Sequence, residues 1–593
     1  MNNKRKYSFL QGVGIFLLFY LLFFTPSIVK AVDNKKLDLL DIISQIRGEP
    51  LNINQNLPQH QPYVQPFSIP LETTPFWTSD AIGYSLWGAY LADITGDGYP
   101  EIIIISEQSP NYLFKNQNGT FRTSPDWESS DSDFHVSAAF GDYDNDGDLD
   151  MAVADYSYFG GRSRLYRNDN GTLTADAVWI ASTGGFWCGW GDVDNDGDLD
   201  LAMVDLFGYP SLYKNNNGML ETTPSWQAID CNFDVCGAWI DADNDGDLDL
   251  AVADINWQYP VLRIYFNNNG ILEQIASWSS QLDPNNYCGS CLAAGDINKN
   301  GTIDLAATMG WLESHENCIY GNFNYHIPTW YSDDFYPSAG CVLGDINGDG
   351  WLDWAYNNIC ETGVGYPAMV YENTNGIMNG TPAWASNVPT SAGMGIDLGD
   401  VDRDGIRYKE DTIYAPGTRK LFYLSILPID KIEQITINGD TVPLNGYCCD
   451  LKAGWISFRD SIPQGAQIII KYHYSIDLEL LISDYNNNRA YLFRNTNIGG
   501  INEKFRTLVS NFQCYPVPVR DGRITLSFVM RDSGRLRLSI YDTSGRKITE
   551  LFNGVVNTGI YKEAIATDLP PGVYFLRCET NKESINNKIV VVR

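Results

Sequence analysis

The stretch GDYDNDGDLDMAVAD (141–155) places five carboxylates at alternate positions, from Asp142 to Asp150. Like charges held that close repel one another, and more strongly wherever water is excluded, so a counter-charge is implied. Nearly the same string returns as GDVDNDGDLDLAMVD (191–205) and IDADNDGDLDLAVAD (240–254). In D-x-D-x-D-G-x-L-D, side chains at positions 1, 3, 5 and 9 and a backbone carbonyl at 7 can converge on one point. Glycine at position 6 allows the sharp turn. Such an oxygen-only shell suits a hard divalent cation, and several structural Ca²⁺ ions are expected. The three strongest ligand sets are Asp142, Asp144, Asp146 and Asp150 with the carbonyl of Asp148; Asp192, Asp194, Asp196 and Asp200 with that of Asp198; and Asp241, Asp243, Asp245 and Asp249 with that of Asp247. An EF-hand is a poor match, because no Glu stands at position 12 in these copies and their flanks read as strands.

Four further copies keep oxygen at most of these positions. They comprise Asp93, Thr95, Asp97 and Glu101 with the carbonyl of Tyr99; Asp296, Asn298, Asn300 and Asp304 with Thr302; Asp345, Asn347, Asp349 and Asp353 with Trp351; and Asp400, Asp402 and Asp404. Fewer carboxylates predict weaker sites, most clearly at Asp296. In the last copy the continuation DLELLISD appears only at 477–484, so Glu479 would complete the site across an insertion of 71 residues, 406–476. Positions 1 to 9 of the seven loops hold 28 of the chain's 73 acidic residues. Metal therefore accounts for much of the acidity.

The elements that must position these loops repeat with them. The copies start 49, 50, 49, 55, 49 and 55 residues apart. Each follows a run of small and apolar residues such as SAAFG (137–141) and precedes an alternating run such as DLDLAVAD. Then come LYRNDNGTLT (165–174), LYKNNNGMLE (212–221) or IYFNNNGILE (264–273), where Asn-Gly between β-forming residues signals a hairpin. Trp127, Trp179, Trp226, Trp278, Trp330 and Trp384 close the units. Four short strands per unit, seven times over, predict an all-β chain built on a seven-bladed β-propeller. The seventh unit lacks its closing strand, and LETTPFW (71–77) ahead of the first copy supplies the missing piece. The insertion carries alternating stretches such as KIEQITING, so a small independent β unit is expected there, with its two ends close together.

Period, loop and hairpin together resemble the FG-GAP/VCBS repeat family, whose seven-bladed propellers include integrin α heads and some fungal lectins. The resemblance covers about 67–405 and 477–498 and implies Ca²⁺ loops between the first two strands of each blade. The tail, with YPVPVRDGRITLSF (515–528), IYDTSGRKI (540–548), PPGVYFLR (570–577) and KIVVVR (588–593), is similar to the type IX secretion C-terminal sorting domain. That similarity implies an Ig-like β-sandwich, contact with the type IX machinery, and delivery to the bacterial surface or medium. The expected organisation is a signal peptide (1–31), a linker (32–66), the propeller (67–405), the insertion (406–476), the last blade (477–498), a linker (499–511) and the sorting domain (512–593).

The N-terminus supports export. Lys4, Arg5 and Lys6 precede a 16-residue apolar stretch, 9–24, shorter than the roughly 20 residues of a membrane span. No membrane span is expected once this segment is cleaved. Twelve cysteines downstream of it predict disulfides in an oxidising compartment. A net charge of −33 excludes nucleic acid as a partner. None of the five histidines has a spacing suited to a metal site or triad, and no serine stands in a G-x-S-x-G context, so no enzyme is expected. A polar ring at the strand ends opposite the loops, Asp155, Asp205, Asp254, Asn358 and Asp484, reads as turn chemistry first and as a ligand rim second. The functional expectation is a secreted or surface-displayed, non-enzymatic adhesion module whose partner is an extracellular protein. A glycan, bound in lectin fashion, is the alternative.

Overall fold

In the computed structural model, residues 69–591 are described apart from 158–159, 231–232, 256–260, 282–288, 311–314, 322, 359–364, 391–394, 498–508, 516–522, 531–533, 543–545, 557–558, 567–568 and 581–583. The expected signal peptide and first linker lie outside the described residues. The described chain is almost all β, with one short 3-10 turn at Leu444–Gly446. No helix among the described residues is long and apolar enough to cross a membrane.

Seven four-stranded antiparallel sheets follow the repeat. Blade 2 is typical. Its strands are His135–Gly141, Asp150–Asp155, Arg164–Tyr166 and Trp179–Ile180, so each acidic loop connects a first strand to a second. The second strands are buried along their whole length, which is why they read as continuous apolar runs such as MAVA. The first strands of neighbouring blades pack on one another, and Ile396–Gly399 of blade 7 packs on Ser85–Ala92 of blade 1. The sheets thereby close around a central axis, forming a propeller.

The last sheet is shared by the two ends of the repeat region: Trp77 pairs with Leu492 and Thr78 with Tyr491. The repeated tryptophans are packing residues that also link blades. The indole N–H groups of Trp77, Trp127, Trp179, Trp330 and Trp384 donate to the backbone carbonyls of Arg122, Leu173, Glu221, Met378 and Leu71, at 2.9–3.1 Å.

Residues 406–476 form two sheets of their own. One joins Ile406–Tyr414, Gln467–Ser475, Ile429–Ile437 and Asp440–Thr441; the other joins Arg419–Tyr423, Trp455–Ile462 and Tyr447–Asp450. This unit has a core around Phe422, Ile456, Phe458 and Ile470. It is less independent than the sequence suggests. Leu421, Cys448 and Trp455 join the apolar cluster of blades 3 and 4 that contains Trp190 and Trp239. Burying Trp455 and Leu421 against the propeller fixes the insertion on the face that carries the acidic loops.

The C-terminal region has a three-stranded and a four-stranded sheet. Leu526 of the first shares a buried cluster with Leu536, Ile540, Leu576 and Ile589 of the second. Cys188, Cys236, Cys291, Cys341, Cys448 and Cys449 are free thiols, and the Sγ atoms of Cys236 and Cys291 lie 3.6 Å apart.

Candidate metal centres

Each acidic loop is folded by its own carboxylates. In blade 2, Asp142 accepts the N–H groups of Asp146 and Gly147, both at 3.0 Å, and Asp146 accepts that of Asp148 at 3.0 Å. The turn needs two residues of positive φ. Asn145 (φ 61°) takes the first, where asparagine is tolerated, and Gly147 (φ 101°) the second.

Position 9 is the buried keystone. Asp150 accepts the N–H of Tyr143 at 3.2 Å and that of Asn168 at 2.7 Å, tying the loop to the hairpin of strands three and four. Asp200 and Asp249 repeat both bonds. Glu101, Asp353 and Glu479 do the same in their blades.

The loops gather carboxylates tightly enough for a cation. Oxygens of Asp142, Asp144 and Asp146 lie within 4.8 Å of one another, as do those of Asp192, Asp194 and Asp196, of Asp241, Asp243 and Asp245, and of Asp400, Asp402 and Asp404. The donor balance points the same way. Buried oxygens of Asp144, Asp194, Asp241, Asp345, Asp402 and Asp404 have no hydrogen-bond donor. An orphaned buried carboxylate oxygen is costly, and a divalent cation would satisfy it.

Burial, reinforced by neighbouring carboxylates, pushes Asp142, Asp192 and Asp241 up to about 6 and Asp150, Asp200 and Asp249 up to about 8; it is opposed chiefly by the Ser457 hydroxyl at Asp192, by the Arg419 guanidinium at Asp241 and by backbone N–H groups at the others. Asp93 is also raised, Asp345 and Asp400 reach about 6, and Glu101 and Asp304 about 7.

The weaker copies differ in kind. Asn298 turns its amide N–H₂ onto Asp304 at 3.0 Å, while Thr95 donates its hydroxyl to Glu101 at 3.3 Å. The Asp345 loop has no three-carboxylate group among the described residues. Two of the strong loops are covered by the insertion. Arg419 reaches Asp241 at 2.7 Å, Arg459 reaches Asp198 at 2.7 Å, and the Ser457 hydroxyl donates to Asp192 at 2.6 Å.

At position 7, Asp148, Asp198 and Asp247 use their side chains to accept the hairpin N–H groups of Asn170, Asn217 and Asn269, at 2.8–2.9 Å. Asn145 and Asn195 then donate to Asp198 and Asp247 of the next blade, at 3.0 and 2.8 Å.

The polar ring at the far ends of the second strands is buried and engaged within the protein. Asp155 meets His135 Nδ1 at 2.5 Å and pairs with Arg164; Asp254 pairs with Arg263 at 2.7 Å. Asp205 accepts the Ser157 hydroxyl at 2.8 Å, Asn358 donates to the Pro367 carbonyl at 2.6 Å, and Asp484 accepts from Asn487 at 2.6 Å.

The reading of Asn-Gly as a hairpin signal missed a role for the first asparagine of N-x-N. Asn168 donates to the position-2 carbonyl of the preceding blade, Ile94, at 2.8 Å. Asn215, Asn267, Asn373, Asn495 and Asn116 do the same to Tyr143, Val193, Ile297, Ile346 and Val401. The signal was present as an asparagine two residues ahead of the turn in LYRNDNG, LYKNNNG and IYFNNNG.

A closed ring of four-stranded sheets with a carboxylate loop between the first two strands defines an acidic-loop β-propeller. A model described as FG-GAP-like repeat matches residues 93–153, 192–252 and 241–307, and one described as secretion system C-terminal sorting domain matches 513–592. The chain is thus an FG-GAP β-propeller carrying a type IX sorting domain at its C-terminus. No curated protein matches it. Solved structures similar to it include a complex of BBS1N with ARL6DN soaked with mercury, at 10% identity and a TM-score of 0.40, covering 73% of this chain and 99% of that one. A Dos1 propeller has 9% identity and a TM-score of 0.36, covering 72% and 96%. A chain of a nidogen/laminin complex has 9% identity and a TM-score of 0.27, covering 47% and 91%.

Proposed function

We propose that this protein is a calcium-stabilised propeller, secreted or displayed on the bacterial surface, that acts without catalysis as an adhesion or protein-interaction module. The observation that carries this reading is where the acidic loops spend their bonding capacity. They are tied to their own hairpins, to the neighbouring blades and to the insertion, which makes them scaffold. The C-terminal sorting domain marks a protein for secretion or the cell surface, where Ca²⁺ is plentiful.

Carbohydrate binding is the second reading. Phe207 and Tyr209, 36% and 43% exposed, favour it, with Phe207 continuing into Tyr156 and Phe233 at ring separations of 5.9 Å. Exposed aromatic rings are suitable stacking platforms for sugars.

A glycan array probed with the full chain in millimolar Ca²⁺ and in EDTA separates the two. Silence in both, with a higher melting temperature in Ca²⁺, is the expected result. Calcium-dependent glycan binding would replace the first reading with the second. Turnover of a polysaccharide would end the non-enzymatic reading.

A further inference from the structure

The interruption of the seventh loop falls between its sixth and seventh positions. Gly405 ends the first half, Asp477 opens the second, and Glu479 stands at position 9. The base of the insertion holds the halves together: Ile406 pairs with Ser475, and the N–H of Ile476 donates to the Gly405 carbonyl at 3.2 Å. The Ser475 hydroxyl adds a bond to Asp400 at 2.7 Å.

Asp477 is unlike its counterparts. In blades 2, 3 and 4 the position-7 carboxylate is occupied by the N–H of the second hairpin asparagine. In blade 7 that N–H, from Asn497, goes instead to Asn495 Oδ1 at 2.9 Å. Asp477 is only 2% exposed, and its Oδ1 is buried without a donor. Carboxylate oxygens of Asp402, Asp477 and Glu479 lie within 4.8 Å of one another, beside the group of Asp400, Asp402 and Asp404. Five carboxylates thus surround the root of the insertion, and the nearby cation of Arg494 stands 3.7 Å from Asp402.

We propose that Asp477 adds a side-chain ligand to a Ca²⁺ site split across the root of the insertion, and that filling this site holds the insertion on the loop face. This inference rests on the reading of the loops as calcium sites. One cation would bind residues on both sides of the 71-residue excursion, restraining its two root strands. The far end then meets the propeller through Arg419, Arg459 and Lys452, the last reaching Asp397 at 3.0 Å.

The test uses the full chain, calcium calorimetry and hydrogen exchange, with Asp477→Asn and, as a control, Asp440→Asn. Asp477→Asn should weaken one class of site at least tenfold. It should also abolish the calcium-induced protection of 406–414 and 467–475. Asp440→Asn, an exposed carboxylate of the insertion outside every loop, should leave both unchanged. Should Asp477→Asn fail to fold, the unmodified chain still decides: protection of the root strands must rise with occupancy of one calorimetric class. Calcium binding and root protection unchanged in Asp477→Asn, or root protection independent of calcium in the unmodified chain, would overturn the inference alone. No calcium uptake at all would overturn the calcium reading beneath it.

Discussion

At the residue scale, the inter-blade asparagines and the buried carboxylates carry most of the specificity. Asn267 donates to Val193 O at 2.7 Å and to Leu248 O at 3.1 Å, both in buried surroundings. Removing it strands two carbonyls. Asn267→Ala should therefore cost about 2–3 kcal/mol in urea unfolding, against about 0.5 kcal/mol or less for the exposed neighbour Asn268→Ala. Equal effects would show that the inter-blade bond contributes nothing.

The carboxylates predict opposite pH trends with and without metal. Their folded-state values of about 6 to 8, against about 4 when unfolded, mean that the folded metal-free chain keeps protons that the unfolded chain releases. That contribution is full below pH 4 and is lost as pH rises through 6 to 8, so the melting temperature in EDTA falls over that range. Calcium competes with those protons, so its stabilisation grows over the same range. Melting curves at pH 5 and 8, in EDTA and in Ca²⁺, check both signs. A calcium increment no larger at pH 8 than at pH 5 would count against the loops as metal sites.

At the element scale, the insertion is both a passenger on blade 7 and a cover for blades 3 and 4. Arg419 places a guanidinium on Asp241, in one of the loops with the fullest set of aspartates. A fixed positive charge there opposes a second cation. Arg419→Gln should raise calcium affinity at one site several-fold while loosening the insertion, read by calorimetry and by proteolysis of residues 406–476. Unchanged affinity would mean that the arginine moves aside without cost. The alternating KIEQITING and QIIIKYHYS stretches made a β unit legible. Its docking was not, because Leu421 and Trp455 carry no mark of which surface they will cover. The side chain of Asp477 was not legible for a related reason: position 7 of the loop works through its carbonyl, and the 71-residue interruption separates it from Gly405.

At the scale of the whole molecule, closure of the ring and export govern stability. The piece at 71–78 supplies the outer strand of the last blade, and Trp384 donates to Leu71. Pro or Lys substitutions at Trp77 should open that seam and broaden or split the unfolding transition; a single sharp transition at unchanged temperature would show the seam to be dispensable. Each loop that takes up calcium at one to ten times its Kd would add roughly 0.4–1.4 kcal/mol, so several such loops together would matter on the scale of a domain's stability. The thiols of Cys236 and Cys291 sit on the inner strands of adjacent blades. An exported chain meets disulfide oxidants, which would take two protons and two electrons from the pair and link the blades. Peptide mapping of unreduced protein should recover the linked pair; alkylation of both cysteines without prior reduction would show that they stay free.

The sequence by itself determined the repeat, the all-β class, the acidic loops and the family resemblances. These depend on period-two burial, on Asn-Gly and Asp-Gly turns and on spacing, all of which are local in the chain. Only the tertiary structure decided which neighbours each loop would meet. Asn168 reaches a carbonyl 74 residues away, Arg419 an aspartate 178 residues away, and Ser457 another 265 away. Contacts of that range come from closing the ring and folding the insertion back across it. The same closure buried Asp155, Asp205, Asp254, Asn358 and Asp484 among partners, where their spacing alone also allowed a rim open to ligand.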